Sequence, residues 1–211
     1  MQLVKSTGKK GEKSRQTRQR ILRAAQELFV DQGYGATTLQ AIADRAGVAV
    51  QTIYFAFGNK ASLLKELVDV TIAGDDEPVP TMQRAWFLDA LAADTAQAHL
   101  QRHVEGTRQV LQRVATIADV VRSASAQDPA IAGLWQYETD PRLEVQTTAA
   151  RSLMAKPGAR AGVSPEHAAE VLFGLLSPEL YLLFVRDCGW TPEHWEQWVY
   201  HTLRTQLCAD D

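Results

Sequence analysis

Apolar residues recur along this 211-residue chain at the spacing of an α-helix, and alternating β-branched runs are missing. Near the N-terminus one such stripe falls at i, i+3, i+4, i+7 and i+8, which places its members on a single helical face. The sequence therefore predicts an all-α fold, with longer helices over roughly 81–92, 94–125, 129–155, 164–188 and 191–207. The stripe consists of Ile21, Ala24, Ala25, Leu28 and Phe29.

Glycines divide the N-terminal part into short helices. The first helix is predicted to end at residues 33–35, where two glycines flank a tyrosine. The second is capped by Thr37 or Thr38 and ends at Gly47. The third covers residues 50–57. Two short helices joined through a glycine are the pattern of a helix-turn-helix.

Three helix starts in the C-terminal part repeat one arrangement of residues. A Ser or Thr is placed to cap the helix, a Pro follows at the first helical position, and a Glu lies near the positive end of the helix dipole. The second of these starts is predicted to divide or kink the helix over 164–188. The three are Ser164-Pro165-Glu166, Ser177-Pro178-Glu179 and Thr191-Pro192-Glu193.

Charge is distributed unevenly along the chain. Residues 1–60 hold ten lysines and arginines and four acidic residues, a formal excess of +6, whereas the whole chain carries -3. The remainder is therefore acidic at -9, and only the N-terminal end is suited to a polyanion. A solubilising tail and a nucleic-acid contact both remain compatible with charge alone.

Composition excludes several classes of protein. A hydrophobic fraction of 45% with 22% charged residues argues against disorder. No apolar run approaches the roughly 18 to 20 residues of a membrane span, and no secretory signal is evident. Cys188 and Cys208 are too few for a disulfide framework and lack metal-site spacing. We therefore expect a cytoplasmic protein without a membrane partner.

The third short helix has an unusual outer face. At roughly 100° per residue, Ile53 and Phe57 lie within about 40° of each other and can both face the core. Gln51 and Phe55 then point outward, flanked by Thr52 and Tyr54. The alternative is a core helix whose rings all pack inward, which this arrangement disfavours.

Such an uncharged surface suits a major groove. Gln51 can bond an adenine edge, Phe55 can meet a thymine methyl, and hydroxyl groups can reach phosphates. Thr38 and Lys60, at the starts of the neighbouring helices, lie where they could clamp the DNA backbone. Gln40 also faces outward and either touches a base or is a solvated surface residue.

The stretch TTLQAIADRAGVAVQTIYFAFGNKASLL, residues 37–64, resembles the N-terminal DNA-binding domain of the TetR family of bacterial transcriptional regulators. The close match covers about residues 17–70 and departs from the family pattern at Ala49 and Ala56, where polar groups are common. The matching features are Phe29, Gly33-Tyr34, Thr38, Ile42-Ala43, Ala46-Gly47-Val48, Thr52-Ile53-Tyr54, Phe57, Lys60 and Leu63-Leu64.

The resemblance implies a homodimer in which each subunit has three DNA-binding helices and a larger helical effector and dimerisation domain. It implies phosphate contacts and base contacts on different residues. We expect a flexible basic arm over 1–14, a helix-turn-helix domain over 15–60, and an effector domain over 61–208 with a linking helix at about 60–73. By the family motif, Thr38, Tyr54 and Lys60 would contact phosphates, and Val50, Gln51 and Thr52 would face bases.

Two surfaces are predicted in the C-terminal part. The run over 180–185 is apolar all round its helix, and the last helix adds an aromatic stripe, so together they could form a four-helix dimer interface. A monomeric core explains the same pattern from the residues alone, and the resemblance favours the dimer. The interface prediction names Leu180, Leu183, Phe184, Trp195, Trp198, Val199 and Leu203.

A regulator should also sense a small molecule. We predict a pocket for a small, partly apolar effector that changes the spacing of the two DNA-reading heads. Core packing is the ordinary explanation of these aromatics, and two histidines four residues apart lack a third ligand, so no metal or cofactor is expected. The candidate lining residues are Trp86, Phe87, His99, His103, Trp135 and Tyr137.

Three classes of function compete. A ligand-responsive repressor acting as a homodimer on a palindromic operator accounts for the charge, the short helices and the resemblance. An enzyme is not expected, because no GxSxG, HExxH, GxGxxG or P-loop motif is present. A helical scaffold that merely contains a helix-turn-helix is the third class, and a gel shift on DNA flanking the gene would separate the three.

Overall fold

The computed structural model describes residues 6–74, 79–126, 128–133 and 140–209. Within these ranges the fold is all α, as predicted, with one isolated antiparallel bridge from Ala159 to Cys208 and no strand. A 3₁₀ turn covers Thr81–Gln83 and a π-helical turn covers Leu183–Asp187. The α-helices are α1 (Ser6–Ala36), α2 (Leu39–Ala46), α3 (Val50–Phe57), α4 (Lys60–Ala73), α5 (Ala85–Leu91), α6 (Ala96–Ser125), α7 (Pro129–Ala132), α8 (Pro141–Met154), α9 (Pro165–Leu175), α10 (Pro178–Leu182) and α11 (Pro192–Leu207).

The described residues form two compact units. The first lies within Met1–Asp69 and Ile117–Trp135, and the second within Val70–Thr116 and Gln136–Asp211. Each has its own buried apolar side chains, such as Phe29 in the first and Trp195 in the second. The predicted functional boundaries at residues 14, 60 and 208 stay predictions.

Helix α1 begins earlier than expected and ends where expected. It starts at Ser6, so the described part of the predicted flexible arm is helical. Glu12 accepts hydrogen bonds from Arg15 at 2.9 Å and Gln16 at 3.1 Å, and such pairs one turn apart support an exposed helix. Gly33 has φ 79°, a backbone angle that interrupts the helix near its end.

The two short helices that follow have the predicted limits. Thr38 caps α2 by accepting a hydrogen bond from the Ala41 amide at 3.1 Å, and Gly47 ends it at φ 65°. Helix α3 covers Val50–Phe57 and begins after Ala49, which has no side-chain cap. The missing hydroxyl at Ala49 therefore removes a local stabilising bond from the start of α3.

The three predicted caps in the C-terminal part are confirmed. Ser164, Ser177 and Thr191 each accept a hydrogen bond from the amide three residues later, at 3.1 to 3.2 Å. The helix predicted over 164–188 is divided into α9 and α10 at Ser177, as the sequence predicts.

The prediction of one helix over 129–155 is wrong. A further helix begins at Pro141, where Asp140 accepts a bond from the Arg142 amide at 2.8 Å. Asp140 caps α8 and Pro141 occupies its first position, so this start shares the cap and the proline of the other three, with Arg142 in place of their Glu. A proline there prevents the preceding turns from continuing as one helix.

One stretch bears on the expectation that no apolar run could span a membrane. Contrary to the expectation, residues Pro165–Asp187 are long and apolar enough to cross a membrane. The core helix of a soluble protein can be equally long and apolar, and Ala168, Ala169 and Leu172 are buried within the second unit. The stretch is therefore weak grounds for a membrane.

Candidate nucleic-acid interface and effector site

The outer face of α3 is open to solvent. Phe55 is 95% exposed and Tyr54 is 54% exposed, whereas Ile53 is fully buried and Phe57 is 7% exposed. Gln51 is exposed and Thr52 is half-buried. The predicted orientation of α3 is confirmed, and its accessible face, which we call the ridge, carries an amide, two hydroxyl groups and a ring.

Arg18, which the sequence predictions did not single out as a site residue, contacts the buried side of α3. Arg18 forms a bidentate ion pair with Glu66, and its Nη1 donates to the Ala56 carbonyl at 3.2 Å. Its guanidinium also lies 4.5 Å from the centre of the Phe57 ring. One side chain thus connects α1, α3 and α4 and fixes the ridge to the rest of the first unit.

Two residues at the start of α2, the cap Thr38 and Gln40, bear on the predicted DNA contacts. The hydroxyl oxygen of Thr38 accepts the cap bond, so its O–H proton remains able to donate to a phosphate. The Gln40 side-chain amide donates to Asp44 at 2.8 Å. The Thr38 hydroxyl group therefore keeps a proton that can be donated to a DNA phosphate, whereas the Gln40 amide is already hydrogen-bonded to Asp44.

Lys60 has partners within its own unit. Its ammonium donates to the carbonyls of Tyr34 at 2.7 Å and Thr37 at 2.8 Å, and it lies 4.1 Å from the centre of the Tyr34 ring. Partial burial lowers its pKa, against a smaller opposing effect of Asp128. Two of the three ammonium donors are thus in use, and one remains for a phosphate.

A groove runs between α1 and α3 beside this ridge. Because α1 begins at Ser6, Lys13 is part of a helix and lines the same groove as Phe55. The sequence carried the charge signal for Lys13 but not its position. The lining is Lys13, Ser14, Thr17, Arg18 and Ile21 with Thr52, Phe55 and Ala56.

Four of the six predicted effector residues lie together in the second unit. The Trp86 ring centre is 6.0 Å from that of His103, and the Phe87 ring centre is 5.9 Å from it. His99 and His103 are 6.2 Å apart between ring centres, and both are fully buried. Trp135 and Tyr137 lie outside the described residues. Within the described ranges no group of three or more His, Cys, Asp or Glu could hold a metal.

Burial keeps both histidines neutral. Desolvation, with smaller effects of His103 and Lys156, lowers the pKa of His99 to about 3. Desolvation also lowers the pKa of His103, against the opposing hydrogen bond to Gln146. Among the residues that the structure describes, neither nitrogen of His99 has a hydrogen-bond partner, and neither has Nδ1 of His103. Each such group costs roughly 1–3 kcal/mol when it stays unpaired.

These histidines predict an acid-sensitive stability. Unfolded His99 takes up a proton near pH 6.5, whereas the folded site resists protonation until pH about 3. Between these values the unfolded chain binds more protons, so this residue lowers the free energy of unfolding by about 1.4 kcal/mol for each unit by which the pH drops. Urea unfolding at pH 6, 5 and 4, between the two pKa values, measures that slope. In His99→Leu we expect the slope to flatten by about one proton, and an unchanged slope would contradict this assignment.

The predicted dimer residues separate into two groups. Trp195, Val199 and Leu203 are fully buried within a single chain, so their assignment to the interface is wrong. Trp195 packs edge-on against Tyr181 at 5.0 Å between ring centres, which makes it part of the core of the second unit. A stripe of apolar residues does not show whether it packs inside its own chain or against another.

The other predicted interface residues remain accessible. Leu183 is 48% exposed, and Leu180, Phe184 and Trp198 are half-buried. Phe184 contacts Trp198 at 4.6 Å and Trp190 at 4.5 Å between ring centres. Trp190 was missed by the sequence predictions, although it lies directly before the Thr191 cap. These rings form an aromatic surface that a second subunit could cover.

Comparison with known proteins gives a local sequence match. A model described as bacterial regulatory proteins, tetR family, matches residues 21–67. The HTH-type transcriptional regulator TtgR of Pseudomonas putida is 43% identical over 58 residues, which are 28% of this chain and 28% of TtgR. The chain thus covers less than a third of the length of TtgR. The residues that the family model matches include α2 and α3.

Solved structures resemble the chain over nearly its whole length. NalD, the secondary repressor of the MexAB-OprM multidrug efflux pump in Pseudomonas aeruginosa, has a TM-score of 0.67 at 24% identity, covering 95% of this chain and 100% of NalD. A putative regulator from Saccharomonospora viridis in complex with choline has a TM-score of 0.71 at 19% identity, with coverage of 92% and 99%. Identities this low establish a shared fold alone.

Proposed function

We propose that this chain, a member of the TetR family of bacterial regulatory proteins, is a ligand-responsive repressor that acts in the cytoplasm as a homodimer on a palindromic operator. The observation that carries the proposal is the exposed face of α3, on which Phe55 is 95% exposed while Ile53 and Phe57 fix the opposite side. An open, uncharged helix face held rigidly on a basic unit is suited to a major groove.

The proposed contacts divide into base readout and backbone binding. Val50, Gln51 and Thr52 read base edges, and Phe55 packs on a sugar or a thymine methyl. Backbone phosphates are bound by residues at the helix starts and on the outer edge of α3. Gln40 is the weakest of the predicted contacts because Asp44 already holds its amide. The phosphate contacts are Thr38, Tyr54 and Lys60.

A dimer supplies the second reading head. The aromatic surface around Phe184 and Trp198 on the second unit is the proposed interface, with Leu180 and Leu183 beside it. Two heads related by a twofold axis read half-sites about one DNA turn apart, which predicts a palindromic operator. Dilution to the nanomolar range in an ultracentrifuge cell tests this, and a protein that is monomeric at micromolar concentration would contradict the dimer.

The second unit is the proposed effector domain. Trp86, Phe87, His99 and His103 form its candidate site, and the solved regulator from Saccharomonospora viridis binds choline. The proposed direction of regulation, repression, is that of NalD, whose likeness to this chain is one of fold. An effector that prefers the DNA-free conformation lowers operator affinity in proportion to that preference.

The sharpest test of the proposed base readout is Gln51→Ala. Gel shifts on DNA flanking the gene first identify the operator. We expect Gln51→Ala to lose about 1–3 kcal/mol of discrimination at one base pair, because the amide no longer pairs with a base edge. Fluorescence anisotropy on duplexes with each base pair replaced in turn measures the change.

The matched control is Tyr54→Phe, which removes one hydroxyl from the neighbouring turn of α3. Because a phosphate contact carries no sequence information, this variant should weaken binding equally on every duplex, by about fivefold. If Gln51→Ala kept every base preference, the assignment of α3 to base readout would be wrong.

A further inference from the structure

The buried histidines of the second unit are an unusual part of its core. His99 and His103 lie one turn apart on α6, with Phe87 of α5 against His103. All three side chains are fully buried. Buried polar atoms are ordinarily hydrogen-bonded, whereas three ring nitrogens of this cluster find no partner within the described part of the chain.

The hydrogen-bonding roles of these nitrogens follow from one contact. Nε2 of His103 lies 2.8 Å from the side-chain carbonyl oxygen of Gln146. A carbonyl oxygen only accepts, so Nε2 carries the proton and Nδ1 is left as an acceptor. Neutral His99 contributes one further N–H donor and one further acceptor. The cluster therefore lacks a partner that both donates and accepts hydrogen bonds.

Trp86 covers this cluster from the outer side. Its ring contacts those of Phe87 and His103, and it is half-buried whereas they are fully buried. The indole lies directly on Gly106, where an added Cβ would come within 2.1 Å of Cε3 of Trp86. A flat ring thus occupies the volume beside the histidines, and its outward rotation would leave room for another flat ring.

We propose that His99 and His103 form the polar end of an effector site, which an uncharged aromatic molecule with a hydroxyl group enters by replacing the Trp86 indole. This inference rests on the proposed regulatory function. The hydroxyl proton is donated to Nδ1 of His103, and the hydroxyl oxygen accepts the N–H of His99. Phe87 provides the apolar wall for the ring of the ligand.

The surroundings disfavour a cationic ligand. Both histidines are neutral and therefore offer no negative charge to a cation. The ammonium of Lys156, which is held by the carbonyls of Leu91 at 2.9 Å and Ala93 at 2.6 Å, lowers the pKa of His99 through its charge. The same positive potential opposes a bound cation.

Calorimetric titration of the full-length protein with matched probes tests the proposal. 2-Naphthol can donate and accept, 2-methoxynaphthalene can only accept, and naphthalene can do neither. We expect 2-naphthol to bind at least about tenfold more tightly than either of the others, because only it satisfies both histidines. Choline tests the cation, and we expect it not to compete.

Variants locate the binding. His103→Leu and His99→Leu should each reduce the preference for 2-naphthol to within about threefold, while His167→Leu, at an exposed histidine outside the cluster, should leave it unchanged. If His103→Leu does not fold, His99→Leu alone decides the question.

Several outcomes would overturn the inference. Equal affinity for all three naphthalenes would show that the histidines do not recognise the hydroxyl group. If none of the probes bound, the ring nitrogens would be hydrogen-bonded by ordered water alone, and the cluster would not be a ligand site. A preference that survives both histidine variants would place the site elsewhere. None of these titrations uses DNA, so the proposed function fails separately, through absence of operator binding in gel shifts.

Discussion

Trp195→Ala is expected to lower the free energy of unfolding by about 3–5 kcal/mol, the range for truncating a large buried aromatic residue. Trp195 is fully buried in the second unit and packs edge-on against Tyr181 at 5.0 Å. The loss combines transfer of the ring to water with a cavity that the surrounding helices only partly fill. Urea unfolding monitored by circular dichroism measures it.

Trp198→Ala is the matched control, because it removes the same ring one turn later on the same helix. Trp198 is half-buried and contacts Phe184 on the surface. We expect about 1 kcal/mol or less of lost chain stability, but a dimer dissociation constant raised by about thirtyfold or more, which is typical of an interface hot spot. Unfolding at two protein concentrations separates the two effects. Equal stability losses for both variants would contradict the division between core and interface.

The local elements of this fold follow from local chemistry. The limits of α3 were predictable because Gly47 ends the helix before it and Gly58 follows its last turn. The caps at Ser164, Ser177 and Thr191 were predictable for the same reason, since each bond joins groups three residues apart. The cap and proline at Asp140-Pro141 are an equally local signal for a helix start, and the prediction of one helix over 129–155 did not use it.

The partners of a side chain were less predictable when they lie far away in the sequence. Helical spacing places Trp195 and Trp198 near one face but gives no means of telling a core from an interface. The ion pair of Arg18 with Glu66 spans 48 residues, and no short pattern indicates it. The histidines of α6 were recognised as candidates, but their missing hydrogen bonds appear only when the neighbouring helices are in place.

Lys60→Ala is expected to weaken DNA binding on every sequence and to destabilise the first unit as well. The ammonium donates to two backbone carbonyls, those of Tyr34 and Thr37. Losing both bonds at a half-buried site should lower the free energy of unfolding by about 2 kcal/mol. Thermal unfolding of the variant measures this. Tyr54→Ala is the control, because Tyr54 is 54% exposed and its loss should change stability by no more than about 0.5 kcal/mol.

The salt dependence of binding decides whether Lys60 also touches DNA. Each phosphate contact releases counterions, so losing one should reduce the slope of log affinity against log salt by about one. If the third donor of the Lys60 ammonium reaches a phosphate, Lys60→Ala flattens that slope. If the lysine only holds the chain between α1 and α2, affinity falls while the slope stays that of the unsubstituted protein. The second result would remove Lys60 from the proposed phosphate contacts and leave Thr38 and Tyr54 to fix the position of α3 on the duplex.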